Sequence, residues 1–189
     1  MLGLASVLAA AASCAPAHAP AAPAGVVPVV TLVDTAGVTT TLPADLAGSR
    51  LTVVVFYAEH CPCFSVHDDR LRELASVYGP QGVRVMVVDS EVSATAERDA
   101  RAAAARGLPA ITMDPGAKLA DALDAVYATY TVVLDGQGQI RYRGGLDSDK
   151  ARLHDDATSY IRDALDDLLA GREPRRAEGK ALGCALQKH

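Results

Sequence analysis

Val53-Val54-Val55-Phe56-Tyr57-Ala58-Glu59-His60-Cys61-Pro62-Cys63 is the stretch whose reading decides the fold. Its β-branched apolar run predicts a strand buried on both faces, because such side chains fit a pleated surface covered from either side. The run empties into a polar turn holding two thiols around a proline. A helical pattern follows at once, in which Val66, Leu71, Leu74 and Val77 form the apolar stripe. Cys61 and Cys63 are therefore expected where a strand hands over to a helix, with Cys61 exposed. Orphan N–H groups and the positive end of the helix dipole favour a thiolate at such a place. Nucleophilic sulfur chemistry near neutral pH has that requirement.

Working outward, two more buried or half-buried strands are expected at residues 83–88 and 110–113. Helices are expected at 90–106 and 118–126. Strands at 131–134 and 140–143 flank Asp135-Gly136-Gln137-Gly138, a strong hairpin signal. An amphipathic helix over 157–170 turns Ile161, Leu165, Leu168 and Leu169 inward. Before the central run, short strands are expected at 29–33 and 38–42. Strands alternating with helices, then a hairpin and a last helix, give an α/β domain with a central mixed sheet and helices on both faces.

The chain has 189 residues, half of them apolar, which is enough for one domain with extensions. Its net charge of −5 arises from interspersed acids and bases, so no basic patch suits it to nucleic acid. Residues 1–13 form an uncharged apolar run of signal-peptide length, too short to span a bilayer comfortably. Ala11-Ala12-Ser13-Cys14 is similar to a bacterial lipobox, which implies either an acylated Cys14 or an incidental cysteine in a cleaved leader. Export to the periplasm, or tethering to a membrane by that lipid alone, is the expectation. Residues 15–28 are rich in Ala and Pro and read as a spacer. The expected division is thus a leader at 1–14, a linker at 15–28, the domain at 29–171 and a polar tail at 172–189 that carries Cys184.

Phe56-Tyr57-Ala58-x-x-Cys61-Pro62, Val132-Val133-Leu134-Asp135-Gly136-x-Gly138 and Ile140-Arg141-Tyr142-Arg143-Gly144 together resemble the thioredoxin-like superfamily. The likeness is to its exported redoxin, or peroxiredoxin-related, thiol-disulfide oxidoreductases, and it runs over residues 29–170. Gly171-Arg172-Glu173-Pro174 followed by Gly183-Cys184 resembles the ending of one exported redoxin branch. The resemblance implies a thioredoxin-like fold, disulfide exchange through Cys61, no required cofactor, a protein thiol or disulfide as substrate, and an upstream reductant protein. Three departures stand out. The second cysteine of the usual Cys-x-x-Cys is Phe64, leaving Cys61-Pro62-Cys63. Thr129 stands where thioredoxins hold a cis-proline. Ala58 and Val54 replace the hydroxyl residue and the proline of the peroxidase signature, so only a weak thiol peroxidase is expected.

Several roles stay open on the sequence. Cys63 can resolve a mixed disulfide on Cys61, ligate a metal with it, or sit passively on the helix. Cys184 can fold back as the resolving thiol or remain free. His60, directly before Cys61, can stabilise the thiolate when protonated or bind metal when neutral. His67, four residues beyond Cys63, is expected one turn along the same face. Cys61, Cys63, His60 and His67 then form a donor set suited to Cu(I) or Zn, and a copper-binding chaperone is the alternative function. Glu59 reads as a turn acid or a proton acceptor. Asp147, Asp149, Asp155 and Asp156 with His154 read as a solvated acidic loop.

Overall fold

The computed structural model describes residues 25–189. The expected leader, lipid site at Cys14 and most of the expected spacer lie outside the described residues. Twelve elements follow along the chain: β1 Val30–Asp34, β2 Thr39–Leu42, β3 Leu51–Tyr57, α1 Pro62–Ser65, α2 Asp68–Tyr78, β4 Val83–Asp89, α3 Ala96–Arg106, β5 Ile111–Met113, α4 Lys118–Ala122, β6 Thr131–Asp135, β7 Ile140–Gly144 and α5 Tyr160–Leu169. Seven strands make one mixed sheet in the order β2-β1-β5-β4-β3-β6-β7. This is a thioredoxin-like α/β fold.

β3 is central, and every one of its residues is buried. It pairs in parallel with β4 (Val54 opposite Met86) and antiparallel with β6 (Val54 opposite Val132). A strand covered on both edges and both faces can carry no polar alternation, which is why its sequence is a continuous apolar run. The hairpin between β6 and β7 forms as its sequence dictates. The Asp135 carboxylate accepts from the Gln137 and Gln139 N–H groups at 3.0 Å each, and Gly138 takes a positive φ of 78°. Upstream of β1, the Gly25 carbonyl accepts from the Ile140 N–H at 2.9 Å.

The helix after the cysteines departs from the periodic reading. It is broken into α1, a single turn of four residues, and α2, with His67 between them. Val77, expected inward, is exposed, and Tyr78 fills the core in its place. Phe64, where a second cysteine was looked for, is fully buried and packs edge-on against Tyr57 with ring centroids 5.0 Å apart. The Arg106 guanidinium lies over both rings and is itself held by Asp68 at 2.6 and 2.8 Å. Such an aromatic pair contributes about 0.5–1.5 kcal/mol beyond its buried area, so the position anchors the turn mechanically.

The polar tail is the largest surprise. Residues 177–187 run back across the domain as an extended strap held by backbone hydrogen bonds. Arg143 donates its N–H to the Ala177 carbonyl (3.1 Å), Gly179 to Arg143 (3.0 Å), Ala128 to Cys184 (2.8 Å), Leu186 to Val126 (3.0 Å) and Val92 to Gln187 (2.8 Å). Lys188 closes the end on Asp121 at 2.6 Å. The strap rides on glycines because nothing larger fits. A Cβ on Gly144 would lie 2.1 Å from the Gly179 carbonyl oxygen, and one on Gly183 would lie 1.7 Å from that of Ala128.

Candidate functional site

Cys61 caps the start of α1 with extended backbone (φ −85°, ψ 108°), and its carbonyl accepts from Phe64 and Ser65 at 3.0 and 3.1 Å. Its sulfur makes no capping bond to the helix. The donor it finds instead is the Cys184 backbone N–H, 3.4 Å from Cys61 Sγ. The expected helix-start N–H support is therefore replaced by support from the strap. The expected exposure of Cys61 is likewise overturned, since the residue is 2% exposed and Cys63 only 4%. The cause is the same strap, lying across the strand end where solvent would otherwise reach the sulfur.

Three sulfurs meet here. Cys61, Cys63 and Cys184 Sγ atoms all lie within 4.8 Å of one another, and all three cysteines are free thiols. Burial pushes the Cys184 thiol up to about 12, reinforced by its hydrogen bond to Cys61 and by the negative charge of Cys61 and Cys63. Cys184 thus holds its proton at neutral pH while Cys61 is unmodified beside it.

The imidazoles go elsewhere. His67 is buried, with Nδ1 2.6 Å from the Cys63 carbonyl oxygen and Nε2 3.2 Å from Asp147 Oδ1. Both ring nitrogens face acceptors, so neither offers a lone pair to the sulfurs. His60 is exposed in the turn and does not join the sulfur group. Among the described residues, the metal-capable cluster is all sulfur, with Cys184 standing where the sequence reading had the two histidines.

His67 anchors a junction between segments far apart along the chain. Asp147 and Asp149 are buried rather than solvated. Arg70 pairs with both carboxylates, at 3.0 Å to Asp149 Oδ2, and His154 Nδ1 sits 2.8 Å from Asp149 Oδ1. These partners hold the Asp147 and Asp149 carboxyls below the usual carboxylate range despite burial, Asp149 at about 2. Asp155 and Asp156 remain exposed.

Glu59 belongs to a second charged knot at the end of β4. Its Oε2 lies 2.8 Å from Arg98 Nε, and Arg98 also pairs with the buried Asp89 and Asp99. Burial, then the charge of Asp99, pushes the Asp89 carboxyl up to about 7 against the opposing backbone bond and Arg98. Arg98 is thus shared among Glu59, Asp89 and Asp99.

Thr129, in the place of the cis-proline, has φ 71°, an unusual value for a β-branched residue. Its N–H donates to the Phe56 carbonyl at 2.8 Å, which fixes the loop beside β3. The strap crosses at this point, so Ala128 and Thr129 form the floor on which Gly183 and Cys184 lie.

The Redoxin family model matches residues 20–160. No curated protein matches the sequence. Among solved structures, a hypothetical protein of Sinorhizobium meliloti 1021 is similar with a TM-score of 0.79 and 23% identity, over 88% of this chain and 94% of that one. An uncharacterized conserved protein of Geobacillus kaustophilus gives 0.77 and 26%, over 87% and 90%. The thioredoxin domain of a thiol-disulfide oxidoreductase from Bacteroides vulgatus gives 0.55 and 16%, over 65% and 88%. Among the described residues, no helix is long and apolar enough to cross a membrane.

Proposed function

This chain belongs to the redoxin family, and on that footing we propose that it is an exported thiol-disulfide oxidoreductase in which Cys61 attacks and Cys184 resolves. The observation that carries the reading is the strap seated on the nucleophile, with the Cys184 N–H 3.4 Å from Cys61 Sγ and the two sulfurs within 4.8 Å. Cys63 adjoins them as a third free thiol.

The strap lifts, and the Cys61 thiolate attacks one sulfur of a protein disulfide. The other substrate sulfur leaves as a thiolate and takes up a proton, leaving a mixed disulfide on Cys61. Cys184 then gives up its proton, attacks Cys61 Sγ and expels the remaining substrate thiolate, which is protonated in turn. The substrate has gained two electrons and two protons, and the chain holds a Cys61–Cys184 disulfide. A dithiol reductant protein returns it to the thiol state. The same steps in reverse oxidise a substrate dithiol.

The raised Cys184 pKa orders this sequence. Burial is the largest cause of that rise and is relieved when the strap lifts, and the hydrogen bond to Cys61 and its charge fall away once Cys61 enters the mixed disulfide. Both changes make the resolving thiol easier to ionise once there is a mixed disulfide to attack. His60, exposed and adjoining Cys61 in sequence, stands in this reading at the mouth of the site. The apolar run at residues 1–13 supports export, and Cys14 is the residue proposed to carry a lipid anchor.

With insulin as the disulfide substrate, Cys184→Ser is expected to stall as a mixed disulfide on Cys61, close to one per chain by mass. In the unaltered protein, release of that intermediate is expected to quicken from about pH 7 to about pH 9, by up to about tenfold per unit while Cys184 remains protonated. Normal turnover by Cys184→Ser, with no trapped intermediate, would contradict the assignment.

A further inference from the structure

Among the described residues, the reduced site brings together three sulfurs and no His, Asp or Glu ligand atom. We propose that Cys61, Cys63 and Cys184 bind one Cu(I) ion in a trigonal, all-thiolate site. A metal–sulfur bond of about 2.3 Å places three ligands of a trigonal site about 4.0 Å apart. The three Sγ atoms already lie within 4.8 Å of one another, so small side-chain rotations suffice.

The identity of the ion follows from the donor set. Soft thiolates select Cu(I) over harder divalent ions. Zinc takes four ligands in structural sites, and among the described residues no fourth Cys, His, Asp or Glu joins the group. Water is a poor fourth ligand here, because Cys61 and Cys63 are 2% and 4% exposed beneath the strap. His67 is spent on the Cys63 carbonyl and Asp147, and His60 is exposed in the turn outside the group.

Binding changes no oxidation state. Each sulfur that becomes a thiolate ligand passes its proton to solvent, and the cation offsets the negative charge gathered on the sulfurs. The Cys184 N–H already directed at Cys61 Sγ supplies a hydrogen bond to a ligating sulfur. The strap thus acts as ligand, lid and outer support together. Because the same sulfurs form the disulfide proposed above, oxidation and metal binding exclude one another. A Cys61–Cys184 bridge leaves one thiol in the site and empties it.

The test uses the full, anaerobically reduced chain and no disulfide substrate, so its failure is separate from failure of the exchange reading. Cu(I) is presented as its bicinchoninate complex, and withdrawal by the protein is followed as loss of that complex's colour. One Cu(I) per chain is expected, with a first shell of three sulfurs by X-ray absorption. Cys184→Ser is expected to weaken binding by at least about tenfold, since even supporting groups around a metal are worth 10–100-fold. The oxidised chain is expected not to compete at all. The proposal is overturned by a shell containing nitrogen or only two sulfurs, by Cys184→Ser binding as tightly as the unaltered chain, or by no stoichiometric uptake. Zn(II) bound more tightly than Cu(I) would overturn the choice of ion.

Discussion

Gly183→Ala is expected to lift the strap and lay Cys61 open. The added Cβ would sit 1.7 Å from the Ala128 carbonyl oxygen and 2.7 Å from its carbon. Both are backbone atoms, fixed by the loop whose Thr129 N–H is bound to Phe56 and whose Ala128 N–H is bound to Cys184. Neither side can give without losing these bonds. Overpacking of this kind costs about 1–3 kcal/mol, and because it acts on strap docking it becomes roughly a 5- to 150-fold rise in the lifted population. Alkylation of Cys61 by iodoacetamide at neutral pH, followed by peptide mass, is expected to quicken by a similar factor. Gly48→Ala, where an added Cβ meets nothing within 4 Å, is expected to change nothing. Equal alkylation rates in Gly183→Ala and the unaltered chain would show that Cys61 is reached without strap movement.

Cys61→Ser is expected to reduce disulfide exchange on the order of 10³-fold or more, the scale seen when a nucleophile is removed from a site whose parts act as a unit. A hydroxyl at that position is a far weaker nucleophile than a thiolate at neutral pH. The fold should survive the change. The Cys61 side chain makes no capping bond, and the chain around it is held by backbone bonds and by Phe64 against Tyr57. Unchanged far-ultraviolet circular dichroism alongside lost insulin reduction is the expected pair of readings. Full exchange by Cys61→Ser would assign the chemistry to another sulfur.

Some of this arrangement is legible in the residues and some is not. The buried run of β3, the continuous β4 and the Asp135–Gly138 turn are local signals, each set by the environment of a few neighbouring residues. They place Cys61 and Cys63 at the strand end with little ambiguity. Element ends shift by a few residues, as with α3, which starts at Ala96 behind its Thr95 cap rather than at Ser90. The position of His67 was misread for a definable reason. An unbroken helix puts it on the face of Cys63, but the chain breaks after α1 and turns both ring nitrogens to acceptors.

The strap was illegible because its attachments are backbone to backbone. The segment at 177–187, mostly Ala, Gly and Leu, has no hydrophobic period, and side-chain patterns do not encode which loop its N–H and C=O groups will meet. The signal that was available lay in the glycines. Gly144 stands against Gly179, and Gly183 against Ala128, each at a distance no Cβ tolerates. The acidic loop misled for a related reason, since the arginine that buries Asp147 and Asp149 is Arg70, 77 and 79 residues earlier.

The account turns on which two sulfurs join when the protein is oxidised. Mild oxidation of the whole chain, followed by proteolysis without reduction and mass analysis of the linked peptides, answers that directly. A peptide pair joining Cys61 to Cys184 is the predicted product. A bridge confined to Cys61 and Cys63, with Cys184 still free to alkylate, would contradict the role given to the strap.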